Sequence, residues 1–429
     1  MRVLFVTYPE KTHFLSMAPL AWALRTAGHE VRVASQPVFT DIITQAGLTA
    51  VPVGRDADLW QLMGRNLTWI GSGVSGLPIP YDAAEWHPRE ITWSYLKDGY
   101  DIQVGRWHKM SNVPLIADLV RFAQSWQPDL VIWEPTTYAG AIAAETCGAA
   151  HARLLFSVDT LGVTREHYLR LKEQQPPGER ADALADWLSP YARKHGFEFG
   201  EDLVTGQFTI TLLPRSLRMD ADLDYLPMRY VPYSGAAVMP SWLWKRPERP
   251  RVALTMGLSG ADRGAGYWFD LQDILDSLAD LDIELVATVP EAEQRKLASI
   301  PENARLVPFV PLADLVPTCD AVIHHAGFGT LATTALNAVP QLIIPWDNDG
   351  PTLARRIAAQ GAGLAVHSNQ AIGVLLRERL LRLLNESRFR RSADLLREEM
   401  LAMPTPNEMA VQLEERVASH RRPAMLGGR

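Results

Sequence analysis

Cysteine is scarce in this chain: only Cys147 and Cys319 occur, one in each half. That excludes a disulfide framework and leaves any zinc site without paired thiolate ligands. Positive charge is not in surplus either. The formal net charge is -7, so no basic stripe exists to neutralise nucleic-acid phosphates. No apolar run approaches the roughly 18 residues that would cross a bilayer. The opening Met1-Arg2-Val3-Leu4-Phe5-Val6-Thr7 reads as a strand, and Tyr8-Pro9-Glu10-Lys11 interrupts it. The run is therefore short of the about 7–15 residues of a signal-peptide core. The expected location is the cytoplasm. Repeats of fixed period and low-complexity segments are absent too.

What is present is an ordinary globular composition, 47% apolar and 21% charged over 429 residues. That length suggests two domains of roughly 100–200 residues each. Val3 to Val6, Val31 to Ala34, Leu48 to Val53 and Leu130 to Trp133 read as buried strands. Helices alternate with them: Ser16 to Leu24, capped by Ser16 and stopped by Gly28, then Phe39 to Ala46, Leu115 to Trp126 and Thr137 to Thr146. This alternation predicts an α/β fold, a doubly wound parallel sheet. Residues 55–112 show no clean period and read as loops with short helices, and 174–205 as mobile, charged helical segments. Prolines at 232, 240, 247 and 250 mark a linker over 231–250. A second α/β alternation then begins at Arg251 and includes Ile283 to Thr288, Ala321 to His324 and Gln341 to Ile344. The expected organisation is a first domain over 1–230, a second over 251–405, and a terminal helix and loose tail over 406–429. The terminal helix opens on the capping box Thr405-Pro406-Asn407-Glu408 and could cross back to the first domain.

The most informative motif is His324-His325-Ala326-Gly327-Phe328-Gly329-Thr330, between a buried strand and a helix. A glycine-containing turn at a helix N-terminus aims backbone N–H groups and the positive end of the dipole outward, which suits a diphosphate. Thr330 adds a hydroxyl, and a histidine adds a donor or a positive charge. A tight turn with two satisfied histidines is the plainer alternative. His13 lies just after the first strand, at the carboxyl edge where open α/β sheets bind ligands. There it could act as a general base, given an acidic partner to hold its tautomer. Glu134 follows the strand Leu130 to Trp133 and shares that edge. Taken alone, His13 reads more readily as an ordinary polar loop residue than as a base.

His13 with Ala18-Pro19-Leu20-Ala21-Trp22-Ala23-Leu24 and Ala27-Gly28-His29-Glu30-Val31 resembles the start of the actinobacterial antibiotic glycosyltransferases of the GT-B fold. Gln127-Pro128-Asp129-Leu130-Val131-Ile132-Trp133-Glu134-Pro135, Arg229-Tyr230-Val231-Pro232-Tyr233, Phe309-Val310-Pro311 and the double-histidine loop extend the similarity over nearly the whole chain. It looks most like the macrolide and anthracycline deoxysugar transferases. The resemblance implies two Rossmann-like domains facing a cleft, and inverting transfer of a deoxysugar from a TDP-sugar to a hydrophobic polyketide aglycone. His13 would be the base and Glu134 its orienting acid. His325, Gly327, Gly329, Thr330, Gly257 and Ser259 would hold the diphosphate, Phe309, Val310 and Pro311 flank the nucleobase, and Asp349 face the donor sugar. Ala326 and Phe328 depart from the family's usual residues.

Asp347-Asn348-Asp349 superficially resembles a metal-binding Asp-x-Asp signature, but the expectation is that no metal takes part. The acceptor pocket is expected among Trp60, Trp69, Trp86 and Trp93, with Trp107 in the same aromatic-rich stretch. Those tryptophans could instead pin a loop region or serve a protein interface. The Trp133-Glu134-Pro135 form is similar to transferases aided by an auxiliary protein related to cytochromes P450 but lacking haem, and it implies such a partner. Other acceptor classes (anthracycline, flavonoid, lipid or peptide) stay open. So do a non-catalytic nucleotide-sugar-binding subunit and an epimerase of the same architecture.

Overall fold

The computed structural model describes residues 1–56, 76–257, 270–345 and 348–426, with side chains described to His420. Seven strands build the first sheet: β1 (Arg2–Val6), β2 (Glu30–Ser35), β3 (Ala50–Pro52), β4 (Leu130–Trp133), β5 (Ala150–Leu154), β6 (Phe208–Thr211) and β7 (Tyr225–Pro227). Six build the second: β8 (Arg251–Thr255), β9 (Glu284–Thr288), β10 (Ala304–Val307), β11 (Ala321–His324), β12 (Gln341–Ile343) and β13 (Gly363–Ala365). Their orders are β3-β2-β1-β4-β5-β6-β7 and β10-β9-β8-β11-β12-β13, with every pairing parallel. Both orders reverse direction beside the first strand of the sheet, the place where such folds open a ligand crevice. Helices cover both faces, so the central strands are apolar throughout: β4, Leu-Val-Ile-Trp, is buried at every position.

Two registers matter for function. Val6 pairs with Trp133, so β1 and β4 end side by side, and the Glu134 amide donates to the Val6 carbonyl at 3.0 Å. In the second sheet His324 pairs with Thr255, which brings the turns after β8 and β11 together.

Several expectations are corrected. The first helix runs from Lys11 to Thr26, starting five residues before Ser16. Its cap is Glu10, whose carboxylate accepts from the Thr12 amide and hydroxyl, so Pro19 lies in mid-helix. His13 consequently sits in the first helical turn and not in a loop. The stretch expected as loops with short helices ends in one long helical run instead: Trp93–Gln103 leads through a π-helical turn, Val104–His108, into Lys109–Trp126. The segment beyond residue 174 is packed. Leu184, Trp187 and Leu188 of the helix Ala183–His195 are buried, and Arg165 anchors the region through Asp182 (2.8 Å) and Glu201 (2.6 Å).

The capping box forms as drawn, with the Thr405 amide 2.7 Å from Glu408 and the Glu408 amide 3.2 Å from the Thr405 hydroxyl. It opens the helix Pro406–Leu426, which buries Met409, Ala410, Leu413 and Val417 in a core shared with Leu20 and Leu24 of the first domain. Spacing of one, four and eight residues makes that stripe a single helical face. The same core takes in Phe328 and Leu331, so apolar packing runs from one sheet's covering layer into the other's.

Two histidines are interior. His108, on the π-turn, meets the Tyr81 hydroxyl at 2.5 Å, and burial pushes it down to about 3. His324 is likewise lowered to about 3 by burial. Unfolded histidine titrates near about 6.5, so the unfolded chain takes up these protons first as pH falls. Their stabilisation is fully present above about pH 6.5 and is lost as pH drops toward about 3. The urea midpoint should therefore fall between about pH 7.5 and about pH 5. His108→Gln should lower the midpoint at neutral pH yet make it less sensitive to acid; an undiminished slope would contradict this.

Candidate active site

A cleft opens between the carboxyl edges of the two sheets. One wall carries Thr12, His13, Ser16 and Phe156; the other carries Gly257, Phe309, Val310, His325, Gly327, Gly329, Thr330 and Asp349.

On the first wall, His13 Nδ1 lies 3.3 Å from Glu134 Oε1. The contact falls short of a formed hydrogen bond, and neither atom has another hydrogen-bond partner. Glu134 Oε2, by contrast, is saturated. It accepts from the Thr136 amide (3.0 Å) and from the hydroxyls of Thr136 (2.8 Å) and Thr137 (2.7 Å). One carboxylate oxygen is thus fixed by the turn that follows β4, and the other is left for His13. Asn112 braces that turn, donating to the Thr136 carbonyl at 2.8 Å and accepting from the Ala139 amide at 2.9 Å. The imidazole is also held from its faces. Phe156 stacks on it at 3.5 Å between centroids, 12° from parallel, and Tyr8 meets it edge-on at 5.5 Å. With Nδ1 turned to the carboxylate, Nε2 is left as the proton acceptor.

On the second wall the two histidines part company. His324 is fully buried, with Nε2 bonded to Gln341 at 2.8 Å and Nδ1 accepting from the Ala326 amide at 3.1 Å. Its role is to hold the turn. Ala326 there adopts φ 75°, the left-handed conformation that glycine takes without strain. His325 alone reaches the cleft. Burial lowers it to about 4, so at neutral pH it offers a donor and not a positive charge, and its Nδ1 has no partner. Gly257 and Gly327 make room for the ring itself: an added Cβ would lie 2.4 Å and 2.5 Å from it, respectively.

The helix Phe328–Leu336 begins at Gly327 with no side-chain cap. Its first intrahelical bond runs from the Leu331 amide to the Gly327 carbonyl at 3.0 Å. The amides of Phe328, Gly329 and Thr330 precede that bond and point out of the helix end, an arrangement that favours an anion.

Asp349 precedes the helix Gly350–Gln360. Burial raises its carboxyl above the usual carboxylate range, and the Ser157 hydroxyl, which donates to it across the cleft, acts against that shift. Phe309 is exposed and Val310 buried, both on the cleft wall, whereas Pro311 sits behind them as the cap of a short helix, Leu312–Leu315.

Trp86 and Trp93 do not line this cleft. They pack on the body of the first domain, Trp86 against Tyr95 (4.6 Å between ring centroids) and Trp93 against Tyr168 (5.1 Å). Trp107 comes closer, since Tyr8 touches both it and His13. Trp60, Trp69, Ser259 and Asp347 lie outside the described residues. Sequence reasoning missed Thr136, Thr137, Phe156 and Ser157. The two threonines adjoin Glu134 and were open to notice; Phe156 and Ser157 sit in a loop that carries no motif.

Among the described residues, Glu145, His151 and Asp202 bring ligand-type atoms within 4.8 Å of one another. They do not suit a metal. The Trp133 indole donates to His151 Nδ1 at 3.3 Å, so Nε2 keeps its proton and donates it to Glu145 at 3.0 Å. No imidazole lone pair is left for an ion.

The glycine cradle makes a direct prediction. Gly327→Ala must push the His325 ring out of its slot, and in a histidine NMR titration its midpoint should climb from about 4 toward the ordinary value. An unmoved midpoint would contradict the cradle.

Comparison with known proteins places this geometry. Residues 22–257 match the N-terminal domain of the erythromycin biosynthesis protein CIII-like family, and residues 272–416 match its C-terminal domain. The chain is 44% identical to 10-deoxymethynolide desosaminyltransferase of Streptomyces venezuelae, covering 99% of each chain. It is 40% identical to 3-alpha-mycarosylerythronolide B desosaminyl transferase of Saccharopolyspora erythraea, covering 99% of this chain and 100% of that one. Among solved structures, glycosyltransferase VinC in complex with dTDP superposes with a TM-score of 0.87 at 39% identity, covering 98% of this chain and 100% of VinC. The forosaminyltransferase SpnP superposes at 0.82 and 38% identity, covering 97% and 99%. The architecture is GT-B, and the chain belongs to the erythromycin biosynthesis protein CIII-like family of glycosyltransferases.

Proposed function

We propose that this glycosyltransferase moves a deoxysugar from a TDP-sugar to a hydroxyl of a hydrophobic polyketide aglycone of the macrolide type, inverting the anomeric centre and using no metal. The observation that carries the reading is the pairing of two devices across one cleft. A histidine backed by a fixed carboxylate faces an uncapped helix N-terminus, beside which His325 Nδ1 has no hydrogen-bond partner.

In the reaction, the acceptor hydroxyl gives its proton to His13 Nε2 as its oxygen bonds to the anomeric carbon. Glu134 Oε1 stabilises the imidazolium through Nδ1–H. The bond from the anomeric carbon to the diphosphate oxygen breaks on the opposite face, and TDP leaves with the electron pair. The Phe328, Gly329 and Thr330 amides, the Thr330 hydroxyl and neutral His325 would receive the developing charge. Gly257 and Gly327 contribute by housing the His325 ring. Phe309 and Val310 would flank the base, with Pro311 setting their backbone, and Asp349 would bind the sugar.

The family relatives support the donor and acceptor classes. They include desosaminyl and mycaminosyl transferases, and structures of VinC and SpnG hold thymidine diphosphate. The Trp133-Glu134-Pro135 form also supports an auxiliary haem-less relative of cytochromes P450 as a partner. Purified chain alone should then be slower than the co-expressed pair, and equal rates would remove that partner.

The donor reading is tested by titrating TDP calorimetrically in the presence of a chelator. Binding should persist, and His325→Ala should weaken it roughly tenfold, the loss expected for a hydrogen bond of about 1.4 kcal/mol. In turnover, His13→Ala should lose on the order of 10²–10⁴-fold. Binding that requires a divalent ion, or a His13→Ala enzyme of ordinary rate, would defeat the proposal.

A further inference from the structure

The loop after β5, Leu155 to Asp159, touches both halves of the proposed chemistry and belongs to neither motif that defines it. Phe156 is the residue stacked on the His13 ring. Its neighbour Ser157, buried in the first domain, donates its hydroxyl to Asp349 of the second. Adjacent side chains of one loop therefore contact the base and the carboxylate assigned to the donor sugar.

The loop is also anchored with unusual firmness. Arg153, at the end of β5, and Asp159, at the start of the next helix, form a bidentate pair at 3.2 and 2.7 Å. Both side chains are essentially without exposure. Arg153 further donates to the Thr205 carbonyl (2.6 Å) and the Thr209 hydroxyl (3.0 Å). Asp159 accepts from the Tyr225 hydroxyl (2.8 Å) and the Gly162 amide (2.8 Å). A buried charge pair is costly to assemble and costly to break, so it fixes geometry more than it adds stability. Here it clamps the two ends of a loop whose middle residues reach the cleft.

We infer that Phe156 and Ser157 are positioning residues, Phe156 setting the plane and tautomer of His13 and Ser157 setting Asp349 for the donor sugar. The inference rests on the proposed donor site and base. Stacking holds the imidazole against tilting, and within that plane the Glu134 carboxylate, 3.3 Å from Nδ1, keeps Nδ1 on its side and leaves Nε2 toward the acceptor. The Ser157 hydroxyl occupies one oxygen of Asp349 and leaves the other for a sugar hydroxyl. Because Ser157 and Asp349 stand on opposite domains, the bond also fixes the spacing of the cleft at the sugar.

The test uses the full chain with TDP and TDP-glucose as probes. Ser157→Ala should leave TDP affinity within about twofold and weaken TDP-glucose by about five- to tenfold, with Ser157→Thr restoring most of the difference. Unchanged or tighter TDP-glucose binding would overturn the role of Ser157. Phe156→Leu should change the Nδ1–H to Nε2–H tautomer ratio of His13, read by nitrogen NMR, by about threefold or more, with Phe156→Tyr close to the parent. An unaltered ratio would overturn the role of Phe156. Failure of the unsubstituted chain to bind TDP would instead bring down the donor-site reading, and this inference with it.

Discussion

Parallel strand order is the constraint on which the rest depends. Because every strand in a parallel sheet leads out at the same edge, all the turns that follow the strands collect there. Two such sheets facing each other bring their turns into one cleft. Glu134 leaves β4 beside the end of β1, and His325 leaves β11 beside the end of β8. The candidate residues are far apart in sequence and near in space for that reason alone.

The chemistry then follows from how polar groups are shared out. Glu134 has one oxygen saturated by Thr136 and Thr137, and His13 has the other. His324 has both nitrogens engaged inside the fold, whereas His325 keeps one without a partner in the cleft. Adjacent and identical residues thus divide into a structural one and one available to a ligand. Neutral at ordinary pH, His325 can donate to an anion without first giving up a counter-ion.

What the sequence made legible were features carried by local pattern. The apolar tetrad Leu130–Trp133, the glycine-containing turn at Gly327 and the capping box at Thr405 all declare themselves within a few residues. Assignment of Glu134 and His13 to one site followed from strand-end logic and the family resemblance. The features that stayed hidden depend on partners far along the chain. β5 reads Ala-His-Ala-Arg-Leu, an unpromising interior strand until Asp159 and Glu145 are seen to take up its charged side chains. Ser16 looked like a cap because the apolar period starts there, yet Glu10 had already opened the helix. Trp86 and Trp93 carried the right chemistry for a pocket, but nothing local shows which way a tryptophan faces.

The central claim is that base and anion-binding helix end serve one substrate pair from opposite walls of a single cleft. A crystal structure of the chain with bound TDP tests it most directly. The account predicts the terminal phosphate against the amides of Phe328 to Thr330 and His325, open toward His13, with thymine beside Phe309 and Val310. A diphosphate seated elsewhere, or bridged to Asp349 by a metal ion, would contradict it.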